Sequence, residues 1–271
     1  MSSISWIREH LLHQNPPRLK NHYGWVPQQP DDRDFKFEKV VEGEVLPAST
    51  DLTTTGFFPP VYNQGELGSC TANAIAGAIQ FNQKKEQAEW VMPSRLFIYY
   101  FERDLEGTVS EDSGAQIRDG FKVLKSKGYI SEQQWPYVID QFAAAPPAAD
   151  VTEAVHFETS AYYSVDGTLA ALKSALASGY PIVFGIVCFE GLESQTAAET
   201  GVVPMPGFFD KAIGGHAILL VGYDDSKQYF KFRNSWGEGW GDQGYGYLPY
   251  NYVANSNYAS DFWVLDKVVA S

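Results

Sequence analysis

The stretch Gln64-Gly65-Glu66-Leu67-Gly68-Ser69-Cys70, running on into Thr71-Ala72-Asn73-Ala74-Ile75-Ala76-Gly77-Ala78-Ile79, most narrows what this chain can fold into. Between Thr71 and Phe81 the polar residues are Thr71, Asn73 and Gln80, so the helix this segment predicts is apolar nearly all round. A helix of that kind lies in the middle of a domain rather than on its surface. Cys70 then stands where a glycine-rich loop feeds the helix, at the end carrying unpaired N–H groups and partial positive charge. That field favours thiolate and makes the sulfur a better nucleophile. On this stretch alone a packed, inert thiol is the competing reading.

Downstream of this helix, helical patterns come first. Pro93-Ser94 starts a helix before Arg95-Leu96-Phe97-Ile98-Tyr99-Tyr100; Ile117, Phe121 and Leu124 repeat at helical spacing up to Gly128; Leu169, Leu172 and Leu176 do so up to Gly179. Strand patterns come later, at 182–188, 217–223, 229–233, 245–248 and 262–265. Helices first and strands later predict an α+β protein with two lobes, one helical and one antiparallel β-rich, with Ala143–Ala149 as the crossing between them.

The β-rich half supplies the groups a thiol nucleophile needs. His216 opens one strand and Asn234 closes the next, joined by the turn Asp224-Asp225-Ser226-Lys227-Gln228. A hairpin centred on Asp225 sets His216 opposite Asn234 on one face, and a change of register would undo the pairing. An imidazole beside the sulfur can hold it as thiolate and protonate a leaving group, and an amide can fix the imidazole. A lone histidine at a strand start is usually a satisfied buried one; its company reverses that reading. Trp236 and Trp240 are placed to cover the His–Asn contact and keep water out. Gly239, Gly241 and Gly244 match a dinucleotide fingerprint in letters only, because a strand pattern comes next where a helix is needed.

Composition excludes other classes. The net charge is −13 and Lys84-Lys85 typifies the longest basic runs, so a nucleic-acid or anionic-membrane surface is not expected. No apolar run is long enough to span a bilayer. Two cysteines make no disulfide framework, and Cys188, ending the run Pro181–Val187, reads as a buried strand thiol. Together with charges interrupting Ser5–Leu12, this leans towards a cytoplasmic, reducing setting, with a trimmed signal or non-classical export as the alternative. His10 and His13 form a weak pair without further ligands, so neither metal nor cofactor is expected.

Three motifs in order, Gln64–Cys70, Gly215-His216-Ala217 and Asn234-Ser235-Trp236-Gly237-Glu238-Gly239-Trp240-Gly241, resemble those of the papain-like cysteine peptidases. The likeness extends from about Leu46 to the C-terminus and includes Asp51, Pro60-Val61, Asn63 and Trp135-Pro136-Tyr137. It implies Cys70 as nucleophile, His216 as general acid and base, Asn234 as its orienter, and the Gln64 amide with the Cys70 N–H as an oxyanion hole. It makes Trp236 a shield for the His216–Asn234 bond and Ser113-Gly114-Ala115 the shelf for substrate backbone. Leu67 stands where many relatives carry a disulfide cysteine, Thr71 replaces an aromatic residue, and Gly215 replaces an aspartate.

The resemblance implies a thiol protease of residues 46–271 that cuts peptides or proteins through a thioester, preceded by residues 1–45 as a draped arm or a short blocking segment. A monomer is expected, with a proteinaceous inhibitor or its own N-terminal segment as the other candidate for the cleft. An acyl transferase with the same triad and a catalytically silent binding module are the alternatives. Gly185, Gly214 and Ala217 are expected to line one pocket with room for a bulky apolar group, with Gly114, Ala115, Trp236 and Trp240 completing the substrate surface.

Overall fold

The computed structural model describes residues 23–37, 45–157 and 159–268, and helix α1 (Cys70–Lys85) is its axis. Every residue from Cys70 to Gln83 is buried, as its nearly uniform apolar surface requires. The few polar side chains on it are matched within the core: Tyr62 donates to Gln80, Asn82 Nδ2 donates to the Leu265 carbonyl at 3.0 Å, and Gln83 Nε2 donates to Tyr129 Oη at 2.9 Å. Lys84 and Lys85 fall in the last turn, where cations suit the helix dipole.

Two helices wrap α1. In α2 (Arg95–Glu106) the Ser94 side chain accepts the Phe97 N–H and Gly107 ends the helix at φ +72°. In α3 (Ile117–Ser126) Gly120 lies so close to the neighbouring helices that a Cβ there would stand 2.3 Å from both Ile75 and Glu102. The passage through Ala143–Pro147 ends in the short α4 (Ala148–Glu153), which leads to the sheet. Helix α5 (Leu169–Ala177), capped by the Thr168 side chain, covers part of it.

The sheet has seven strands: β1 (Ser49–Asp51), β2 (Thr159–Ser164), β3 (Ile182–Phe189), β4 (Ala212–Asp224), β5 (Tyr229–Arg233), β6 (Tyr245–Pro249) and β7 (Ala259–Val268). Their order is β2-β7-β3-β4-β5-β6, with β1 beside β4, and all pairings are antiparallel. Two further short helices, α6 (Gln195–Thr200) and α7 (Tyr250–Val253), join strands. The α+β architecture matches the sequence reading. The edge strands β1 and β2 and the short helices were not predicted: β1 and the short helices are too brief to set a period of their own, and the sequence of β2, Thr-Ser-Ala-Tyr-Tyr-Ser, carries no apolar alternation.

Two details differ from expectation. Strand β4 begins at Ala212, so His216 lies inside it rather than at its start. The hairpin loop is Asp225–Gln228, with Gln228 at φ +55°, and the register pairs Asp224 with Tyr229 and, beyond a bulge, Leu219 with Arg233. His216 is therefore not directly opposite Asn234. The residues remain on one face because the offset is an even number of positions, and the side chains bridge the diagonal.

The N-terminal arm passes through the cleft between helices and sheet. The Trp25 N–H donates to the Gly215 carbonyl at 2.9 Å, the Ala115 N–H donates to the Gly24 carbonyl at 2.7 Å, and the Val26 N–H donates to the Ala115 carbonyl at 3.0 Å. Further along, Phe35 and Phe37 pair with Ser164 on the edge of β2, and Asp34 meets Arg118 of α3 at 2.5 Å. The pair His10 and His13 lies outside the described residues.

Candidate active site

The loop before α1 is held from several sides. Asp112 accepts the Gly68 N–H at 3.0 Å and the Tyr99 hydroxyl at 2.5 Å, while Tyr99 Oη accepts the Gly114 N–H at 3.1 Å. Tyr137 donates to the Gln64 carbonyl at 2.9 Å and shares a 2.5 Å bond with Ser69 Oγ. Arg95 joins Glu132, Asn73 and the Asn63 carbonyl, with its guanidinium 4.0 Å from the Tyr137 ring centre. Asp112, Tyr99 and Arg95 were not singled out from sequence. Each acts through a contact made across long sequence separations, which no local pattern marks.

Cys70, the first residue of α1, is fully buried, and its Sγ accepts the Ala217 N–H at 3.3 Å. His216 immediately precedes that donor, so thiol and imidazole share one corner of the cleft. His216 Nε2 lies 2.8 Å from Asn234 Oδ1. The Ser235 N–H donates to the same Oδ1 at 2.8 Å, which identifies that atom as the oxygen. The imidazole proton on that side is consequently on Nε2, leaving Nδ1, which has no hydrogen-bond partner, for the thiol. The Trp236 ring stacks on His216 with centroids 4.9 Å apart, and Trp240 packs edge-on against Trp236. Trp240 thus lies one layer behind the cleft, supporting Trp236 rather than meeting the arm.

Gln64 is buried, with its Oε1 accepting the Ser235 hydroxyl at 2.6 Å and its Nε2 donating to the Leu67 carbonyl at 2.9 Å. Gln64, Cys70, His216 and Asn234 are therefore brought together from two loops, a helix and a strand. Among the described residues no cluster of metal-ligating side chains occurs.

The arm sits on this centre. Burial pushes the Cys70 thiol up to about 12, against the N–H groups of Ala217 and Gly24 that favour thiolate. Burial likewise pushes His216 down to about 4, against the Asn234 bond that raises it. With the arm in place, desolvation favours the neutral form of both groups.

Gly114 and Ala115 line one side of the arm: a Cβ on Gly114 would stand 2.2 Å from the Gly24 carbonyl oxygen. Gly185 and Gly214 do not line one pocket, contrary to expectation. Gly185 faces the Trp25 ring and Gly214 faces the Tyr23 ring, where added Cβ atoms would fall within 1.9 and 2.6 Å. Tyr23 lies edge-on to His216 and Trp236. Trp25 therefore fills a separate pocket, and Ala217 contributes its backbone N–H to the sulfur.

A buried helix bearing the cysteine, facing a sheet bearing histidine and asparagine, defines a class. This chain belongs to the papain family of cysteine proteases, whose family model matches residues 46–263. At 39% identity, covering 93% of this chain and 98% of the other, it is similar in structure to xylellain, a cysteine protease from Xylella fastidiosa, with a TM-score of 0.85. It is also 39% identical to an uncharacterized peptidase C1-like protein of Acanthamoeba polyphaga mimivirus, over 92% of this chain and 88% of that one. The fold of digestive procathepsin L 3 of Tenebrio molitor is shared at a TM-score of 0.69 and 21% identity, over 99% of this chain and 79% of the other.

Proposed function

We propose that the chain hydrolyses peptide bonds through a thioester formed on Cys70, with His216 as proton carrier and Asn234 as its orienter. The observation that carries this reading is the 2.8 Å His216–Asn234 bond, with its tautomer fixed by Ser235, one residue from the N–H that touches the sulfur. Once the cleft is open, the proton moves from Sγ to Nδ1 and the thiolate attacks the carbonyl carbon of the substrate. Negative charge on the carbonyl oxygen is met by Gln64 and the Cys70 N–H at the positive end of α1. The C–N bond breaks as the imidazolium protonates the leaving amine, and the acyl group remains as a thioester. Water then adds with its proton passing to His216, the C–S bond breaks, and the acid departs. Trp236 keeps bulk water from the His216–Asn234 bond.

Residues 23–26 act on this reading as an internal plug. The Gly24 N–H faces the sulfur, while the carbonyl of the following peptide group, that of Gly24, accepts the Ala115 N–H at 2.7 Å. Cys70→Ala should abolish turnover of a fluorogenic peptide. Gln64→Ala should lower kcat by roughly 10²–10³-fold, as loss of one oxyanion donor does elsewhere. Undiminished turnover in Cys70→Ala would end the proposal, and unchanged kcat in Gln64→Ala would remove the oxyanion assignment.

A further inference from the structure

One peptide group of the loop before α1 is held from both ends. Its carbonyl, that of Leu67, accepts Gln64 Nε2 at 2.9 Å, and its N–H, that of Gly68, donates to the two Asp112 oxygens at 3.0 and 3.1 Å. A carboxylate on the N–H polarises the amide and makes its carbonyl a better acceptor, so the Asp112 contact tightens the hold on Gln64. Gln64 Nε2 carries two hydrogens, and committing one to Leu67 fixes the direction of the other. Both cysteines are free, so no covalent bond pins this loop.

The same carboxylate is reached from Gly114 and Ala115, which line the arm. Tyr99 Oη donates to Asp112 Oδ1 at 2.5 Å and accepts the Gly114 N–H at 3.1 Å. Tyr99 is fully buried on α2, and burial, then the charge of Asp112, hold its hydroxyl well above the usual tyrosine range. Its one proton therefore stays in place and points at Asp112, leaving its lone pairs to Gly114. Two turns further along the same face of α2, Glu106 Oε1 accepts the Gln116 N–H at 2.7 Å. Helix α2 thus grips the chain on either side of Ala115, whose own N–H and carbonyl pair with the arm. Asp112 is aimed by a buried cation, because Arg103 donates to the Val109 and Glu111 carbonyls at 2.8 and 3.0 Å and so fixes the turn leading into it.

We infer that Tyr99 and Asp112 are positioning residues for the oxyanion donor, linking the backbone at Gly114 to the side-chain amide of Gln64. This rests on the peptidase reading above. The path runs from the Gly114 N–H through Tyr99 Oη and Asp112 to the Gly68 N–H, across that peptide group to the Leu67 carbonyl, and on to Gln64 Nε2. Every donor on it meets an acceptor. Neither side chain touches a reacting atom; together they set where Gln64 Nε2 points. A donor aimed in advance stabilises the oxyanion without reorganising at the moment of reaction.

The test is a cycle of variants in the full chain carrying Gly24→Ala, for whose methyl group the Gly68 carbonyl leaves no room. With a fluorogenic dipeptide amide, Tyr99→Phe and Asp112→Asn should each lower kcat roughly tenfold, the worth of one hydrogen bond to a charged group, with KM changed less than about twofold. Asp112 is exposed, so its variant carries the test even where the buried Tyr99→Phe unfolds. In a Gln64→Ala background the same substitutions should cost less than about twofold, because groups acting through one residue are not additive. Equal losses in both backgrounds would mean that Tyr99 and Asp112 only hold the fold, and would overturn the inference. So would an undiminished kcat in both variants. The Gln64 side-chain amide signals in nitrogen–proton correlation spectra, assigned by their loss in Gln64→Ala, give a readout that needs no turnover. They should shift in both variants, and signals that stay in place would also overturn the inference. Shifted signals in a chain that cleaves no peptide would refute the peptidase proposal and leave the link standing.

Discussion

Gly24 of the arm passes so close to Gly68 that a Cβ on Gly24 would stand 1.7 Å from the Gly68 carbonyl oxygen. The obstacle is backbone in a loop pinned by Asp112, so it cannot swing aside as a flexible side chain can. Gly68 is itself the residue two before the candidate nucleophile. The arm and the loop before α1 are thus fitted to each other at a position where only a hydrogen can stand.

Gly24→Ala should therefore dislodge the arm while leaving the peptidase fold intact. Peptide turnover by the full chain should rise, by about tenfold or more for a clash of this size. Steady-state rates compared with those of the unmodified chain check this; equal rates would show that the arm does not limit access.

Alkylation of Cys70 by iodoacetamide reads the same transition through the thiol. With the arm seated, Cys70 is held up to about 12 and His216 down to about 4. Between pH 5 and 9 the covered pair therefore stays almost wholly neutral, and its small thiolate fraction climbs about tenfold per pH unit. In the Gly24→Ala chain the uncovered sulfur pairs with an imidazolium, and the rate should reach a plateau near neutral pH. A plateau in the unmodified chain would mean that the arm leaves the site spontaneously.

Arg95 ties α1, α2 and the catalytic loop together through Glu132, Asn73 and the Asn63 carbonyl, and both it and Glu132 are largely buried. Arg95→Met fills the space but leaves Glu132 without its cation. A loss of about 3–5 kcal/mol is expected, the usual cost of removing one partner of a buried pair. Urea denaturation with an unchanged m-value is the measurement.

Glu102 is fully buried on α2, with Thr71 donating to its Oε2 at 2.8 Å and its Oε1 without a partner. Burial, and then repulsion from Glu106 and Asp119, hold its pKa well above the usual carboxylate range. The folded state favours the protonated acid, so this contribution is fully present below the ordinary carboxylate value and is lost as pH rises through the raised one. Glu102→Gln keeps the shape and cannot ionise. Its Tm should match the unmodified chain at acidic pH and exceed it by a few degrees as pH rises, at about 1 kcal/mol for 2–4 °C.

Much of the fold was legible because its elements declare themselves locally. The all-round apolar run after Cys70, the Ser94 cap and the strand at 229–233 each carry their own period or boundary signal, and each stands where expected. The hairpin register did not, because loop length is set by how four turn residues bend, and Gln228 takes a left-handed conformation with no glycine to announce it. Asp261 escaped notice for a related reason. It accepts the Trp25 Nε1–H at a bulge, which depends on pairing with β3 rather than on its neighbours in sequence.

The sequence by itself determined the candidate chemistry: which sulfur, which imidazole and which amide, in which order, and a helix able only to be buried. The tertiary structure decided what covers them. Tyr23, Gly24 and Trp25 look like any residues of a polar arm until the backbone of Gly215 and Ala115 and the carboxylate of Asp261 are set around them. Periodicity and capping are short-range properties that a chain carries wherever it goes. Occupancy of a cleft and the protonation of a thiol depend on groups far apart in sequence, and only folding brings those together.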